Sequence, residues 1–190
     1  MILVGDASGS EDAGPWKRVV ERMNAGSVAV FLSPLAFCRG TDAVAWLPLE
    51  KKGRCYQFHD WLYHKECGAK AHPVFEGSQA RGIMDWDYYG QVVPHYLFDG
   101  QDTPDDVAAA FAVGYSIPGG YASGVLVGSY KLGAGRMVLN TPRVLENLDT
   151  NPTADRLLLN LVGYAAKLAA NTRAELSADL ENLFRRIGYA

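Results

Sequence analysis

The stretch that decides the fold runs from Gly124 to Ala166, GVLVGSYKLGAGRMVLNTPRVLENLDTNPTADRLLLNLVGYAA. Val125-Leu126-Val127 and Met137-Val138-Leu139 are short apolar runs, and Gly133-Ala134-Gly135 between them suits the tight reversal of a hairpin. Runs unbroken by polar residues imply a sheet covered on both faces. Beyond Asn140-Thr141-Pro142 comes a helix with clear signals. Asn151 caps it, Pro152 fits its first position and Asp155 lies in its first turn. Leu158, Leu161, Val162, Ala165, Leu168 and Ala169 recur at helical spacing and form its buried stripe.

Upstream, Ile2-Leu3-Val4-Gly5-Asp6 reads as a parallel strand ending in Gly-Asp. A helix opened by Pro15 and carrying Trp16, Val19, Val20 and Met23 follows, and Gly26 stops it. Val28 to Leu32 is a second strand, closed by Ser33-Pro34, so the first 32 residues make a right-handed βαβ unit. From residue 34 to 100 no long periodic segment stands out. This aromatic-rich insertion holds all four histidines and all three cysteines, and long irregular stretches of this kind tend to carry function. Thr103-Pro104 then predicts a helix with Val107, Ala110 and Phe111 buried and Gly114 as its stop. Thr172 and Glu175 form a capping box for a C-terminal helix over 172–188, with Leu176, Leu180, Leu183, Phe184 and Ile187 as its apolar stripe.

Size and charge narrow the function classes. A chain of 190 residues is read as one domain, 1–190, and a net charge of −3 with scattered basic residues argues against nucleic acid or an anionic membrane as partner. The most hydrophobic helix is interrupted by Arg156, Asn160 and Lys167, so no membrane span is expected. MILVGD does not read as a secretory signal, and an odd cysteine count gives no disulfide framework. Reduced thiols and a cytoplasmic location follow, unless a signal has been removed.

Four motifs carry a family resemblance: ILVGD with its helix and NAGSVAVFLSP; HPVFEGS at His72 to Ser78; MDWDYYG at Met84 to Gly90; and the Gly-x-Gly-Arg strand from Gly133 before the Leu-Leu-x-Asn helix. In these the chain resembles a class I glutamine-amidotransferase-like domain, in the branch shared by trehalose-utilisation-type proteins and accessory domains of β-galactosidase-type glycoside hydrolases. The resemblance implies a three-layer, flavodoxin-like α/β sandwich, with a mostly parallel sheet and an antiparallel hairpin near one edge. It also implies two further βα units before Ile2. Their lack leaves an apolar strand as an edge, to be covered by another domain of a longer chain or by a second copy.

The amidotransferase nucleophile is not recognisable. Cys38 lies six residues past Leu32, and Ala36 stands where the Gly-x-Cys-x-Gly elbow needs glycine; no His-x-Glu pair precedes the final helix. Cys55, His59, His64, Cys67 and His72 offer zinc-type donors, but without a Cys-x2-Cys knuckle no metal site is assigned. No cofactor is expected. A carbohydrate is the ligand class suggested by aromatics interleaved with carboxylates, since sugars stack apolar faces on rings and offer hydroxyls to acids. Trp61, Trp86, Tyr88 and Tyr89 are the candidate ligand-binding rings, and His72, Asp85 and Asp87 the candidate catalytic groups. The sequence thus suggests a non-catalytic accessory or oligomerisation domain of a glycoside hydrolase or related carbohydrate-processing protein. The alternative is a small trehalose-utilisation-type enzyme acting on a sugar or sugar derivative through His72, Asp85 and Asp87.

Overall fold

A computed structural model describes residues 1–6, 11–57, 67–113, 122–171 and 178–189. Nine strands, β1 (Ile2–Val4), β2 (Val28–Phe31), β3 (Arg54–Gln57), β4 (Cys67–Ala69), β5 (Gly82–Ile83), β6 (Tyr96–Asp99), β7 (Asp106–Val113), β8 (Ala122–Leu132) and β9 (Gly135–Asn140), join in one open sheet. The helices are α1 (Ala13–Asn24), the single turn α2 (Trp86–Tyr89), α3 (Pro152–Ala170) and α4 (Leu180–Arg186). The main strand order is β1-β2-β9-β8-β7-β4-β5, with β3 paired to β6 and β6 to β8.

The fold is mixed α/β, and its sheet is mostly antiparallel. Among the described residues, only β1 with β2 and β2 with β9 run parallel. The pairs β3–β6, β4–β5, β4–β7, β6–β8, β7–β8 and β8–β9 are all antiparallel. Two sequence expectations are corrected here. The sheet is not mostly parallel, and the β8–β9 hairpin lies in its middle. The reason is that the irregular-looking segment 34–100 supplies four strands, β3 to β6, which extend the sheet beyond the hairpin.

The third correction is β7. Thr103 and Pro104 lead into a strand, and the alanine-rich run pairs with β8 along its length and with β4 on the other side. Ala109 and Phe111 are buried while Ala110 and Ala112 are exposed, a period of two. Register shifts between Val107 and Ala110 place Ala108 inward as well. Pairing on both sides overrides the helix preference of alanine.

The expected strand–helix–strand order at the N-terminus holds, with β1 and β2 parallel. Asp12 caps α1 by accepting from the Gly14 N–H at 2.8 Å, so the helix opens slightly before Pro15. Gly26, at φ 104°, ends it. Alternation along β2 then divides the core. Ala29 and Phe31 join Trp16, Val20 and Met23 of α1, whereas Val28 and Val30 join Ala154, Leu157, Leu161 and Ala165 of α3. Helices therefore cover both faces of the parallel part of the sheet. Leu158 and Leu168 of the expected α3 stripe are partly buried, and Leu157 and Ala154 complete it. Asn151 and Pro152 start α3 as read.

In the hairpin the two glycines act differently. Gly133 takes φ 58°, the left-handed position of the turn. At Gly135 a Cβ would stand 2.2 Å from the carbonyl oxygens of both Met23 and Ser27, so its role is close approach to the end of α1. The last helix begins at Leu180, capped by Asp179; Thr172, Glu175 and Leu176 lie outside the described residues. Among the described residues, no helix is long and apolar enough to cross a membrane.

Candidate functional site

Open α/β sheets place ligands beyond the carboxyl ends of parallel strands, where consecutive connections leave for opposite faces. That point lies here between β2 and β9. After β2 the chain turns to the α1 face, where Ala36 and Phe37 pack with Trp16. After β9 it turns to the α3 face, where Val144 and Ala154 pack. A crevice of about 260 Å³ opens at this place. Asp6 follows β1, Ser33 and Pro34 follow β2, and Thr141 to Glu146 follow β9. Gln57, His95 and Tyr96, at the adjoining ends of β3 and β6, make the remaining wall.

Local chemistry fixes these walls. Ser33 accepts from the Leu35 N–H at 3.2 Å, and Pro34 starts a 3-10 turn. Asn140, 1% exposed, donates to the carbonyls of Leu32 at 3.3 Å and Pro142 at 3.0 Å. Arg143 holds Glu146 through Nε at 2.7 Å and through Nη2, and its backbone N–H reaches Val92 O at 3.0 Å. Thr141 is 1% exposed, and its hydroxyl has no hydrogen-bond partner among the described residues. Burial, with the Cys55, Cys38 and Glu146 charges, pushes the Tyr96 phenol up, so it remains a neutral donor at physiological pH.

The candidate residues drawn from sequence lie elsewhere. His72 caps a 3-10 turn: Nδ1 accepts from the Val74 N–H at 3.2 Å and Nε2 meets Asp106 at 2.8 Å. Lys70 at 2.6 Å and the Tyr164 hydroxyl at 3.2 Å also bind Asp106. Burial pushes this carboxyl up, but the hydrogen bonds and charges of Lys70 and His72 win and hold it at about 2. With both ring nitrogens engaged, His72 is a post between loop and sheet and offers no nitrogen to a substrate. Asp85 accepts from the Tyr88 N–H at 2.8 Å, and Asp87 is exposed. His72 and Asp85 are thus held by separate partners, and Asp87 faces solvent.

Tyr88 is 42% exposed and donates to Gly77 O at 3.4 Å. Tyr89 is fully buried against Phe75 and donates to Gln79 O, so it packs the core and presents no stacking face. Trp61 and the Trp86 side chain lie outside the described residues, as do His59 and His64. Among the described residues no three His, Cys, Asp or Glu side chains gather as a metal would require. Sequence reading missed the crevice because its walls come from five separate places in the chain. Ser33-Pro34 and Asn140-Thr141-Pro142, each closing an apolar strand, were the available signal.

Comparison with known proteins gives no match to a family model, to a curated protein or to a solved structure.

Proposed function

We propose that the chain is a non-catalytic accessory domain of a glycoside hydrolase or related carbohydrate-processing protein, serving contacts with other domains of a longer chain or with further copies. In this proposal β1, α1, β2, β9 and α3 are the retained part of an amidotransferase-like, flavodoxin-like three-layer arrangement. The βαβ unit, the parallel β2–β9 pair and the helices on both faces support it. The sheet margin supports the contact role. β1 is the end of the strand order, and Leu3 is 49% exposed at an edge whose backbone can template a further strand. Free Cys38 and Cys55 thiols favour a reducing compartment, and the cytoplasm is the proposed one.

The observation that carries the proposal is the state of Cys38. Its thiol donates to the Ala43 carbonyl at 3.9 Å. Burial first, then the Asp6 and Asp42 carboxylates, push its pKa above the ordinary 9.0. A nucleophilic cysteine needs the opposite surroundings, a nearby base or cation that favours thiolate. Iodoacetamide alkylation followed by peptide mass analysis across pH tests this. The Cys38 rate should still be climbing at pH 9.0, the ordinary thiol value. A rate already at plateau near neutral pH would overturn the proposal.

A further inference from the structure

We propose that the crevice beyond β1, β2 and β9 binds a small neutral polyhydroxylated molecule, of monosaccharide size and chemistry. This goes beyond the accessory-domain proposal, since a domain that only docks has no need of a ligand. The volume of about 260 Å³ falls just under the usual ligand-cleft range of about 300–1,000 Å³, as a single sugar ring would require. Its base is apolar and buried, built from Leu32, Pro34, Pro142 and Val144, and suits the C–H face of a sugar ring. Its rim is polar, with Asp6, Gln57 and Glu146 exposed and Tyr96 half-buried. Acceptors and a neutral phenol donor on one rim match hydroxyls, which both donate and accept.

Charge decides against an anion. The lining carries two carboxylates, Asp6 and Glu146, against one guanidinium and the His95 ring, and Arg143 is already forked onto Glu146. A phosphate or carboxylate would meet Asp6 and have to displace Glu146. Thr141 gives an independent pointer. A buried hydroxyl without a partner is costly, and a ligand hydroxyl would satisfy it once the Thr141 side chain rotates toward the crevice. The walls are also fixed beforehand by the Asn140 and Ser33 hydrogen bonds, which lowers the ordering cost of binding.

The test is titration of the purified chain with D-glucose, D-galactose, D-mannose and D-xylose, and separately with inorganic phosphate, followed by amide chemical shifts. At least one sugar should give saturable shifts at the Leu35 and Arg143 amides with Kd on the order of 1–10 mM, and phosphate none. Glu146→Gln and Thr141→Val should each weaken binding about five- to tenfold, the worth of one hydrogen bond. Thr141→Val should leave the free protein at least as stable, which separates lost binding from lost folding. Asp106→Asn, remote from the crevice, should bind normally. Four outcomes would overturn the proposal: no saturable shift with any of the four sugars up to about 100 mM, far weaker than a built site; saturation by phosphate; shifts confined to the Tyr88 region; or undiminished binding in both crevice variants. Cys38 alkylation reads the accessory proposal separately, so the two can fail independently.

Discussion

Asn140 at the end of β9 donates to the carbonyl of Leu32 at the end of β2, 108 positions away in the sequence, at a distance of 3.3 Å. The same amide group reaches Pro142 O at 3.0 Å. One buried side chain thus ties together the two strand ends at which the chain turns to opposite faces. The crevice walls at Ser33–Leu35 and Thr141–Glu146 leave from these two ends.

Replacing Asn140 by alanine removes both bonds and leaves the Leu32 and Pro142 carbonyls without their shared donor. The expected loss is about 1–3 kcal/mol of unfolding free energy, read as a lower urea midpoint at unchanged slope. Loosened strand ends should also broaden the amide signals of Leu35 and Arg143.

Gly135 sits where the hairpin closes against backbone at the end of α1. Because the groups a Cβ would strike at 2.2 Å are the backbone oxygens of Met23 and Ser27, no side-chain rotation relieves it. Gly135→Ala should destabilise by about 3 kcal/mol, the upper range for overpacking. Thermal unfolding measured against wild type checks this.

The Asp106 cluster gives a pH signature. Its folded pKa, about 2, lies below the ordinary 3.8. A lowered carboxyl pKa contributes stability that is fully present above the unfolded value and is lost as pH falls through the folded one. Asp106→Asn should therefore be less stable than wild type at neutral pH, and the gap should close as pH falls from 3.8 to about 2. The carboxylate is about one-third exposed, so solvent screening keeps the amplitude small. Urea titrations at stepped pH measure the gap. A gap that widens in acid would contradict the assigned network.

Local signals made the parallel core legible. Gly26 stops α1, Asn151 and Pro152 start α3, and Gly133 turns the hairpin, each through chemistry confined to a few neighbouring residues; the Asp12 cap of α1, ahead of Pro15, was overlooked. What failed was non-local. Residues 106–113 have a helix former's composition, and only their partners on β4 and β8 make them a strand. The short strands β3 to β6 carry little periodicity of their own and form by pairing across long loops. The site shows the same division. Asp6, Ser33, Gln57, His95 and Thr141 form no motif in the chain and meet only because three parallel strands end together beside β3 and β6. His72 was visible as a reactive residue type, but its two partners, the Val74 N–H and Asp106, make it a structural one.

The most direct measurement of the central claim is a turnover assay on the purified chain, with glutamine and with 4-nitrophenyl glycosides, beside Cys38→Ala and Asp85→Asn variants. A domain that makes contacts without performing chemistry predicts product formation at the buffer rate for all three proteins. Turnover by the wild type that disappears in either variant, while its unfolding curve is unchanged, would contradict the account.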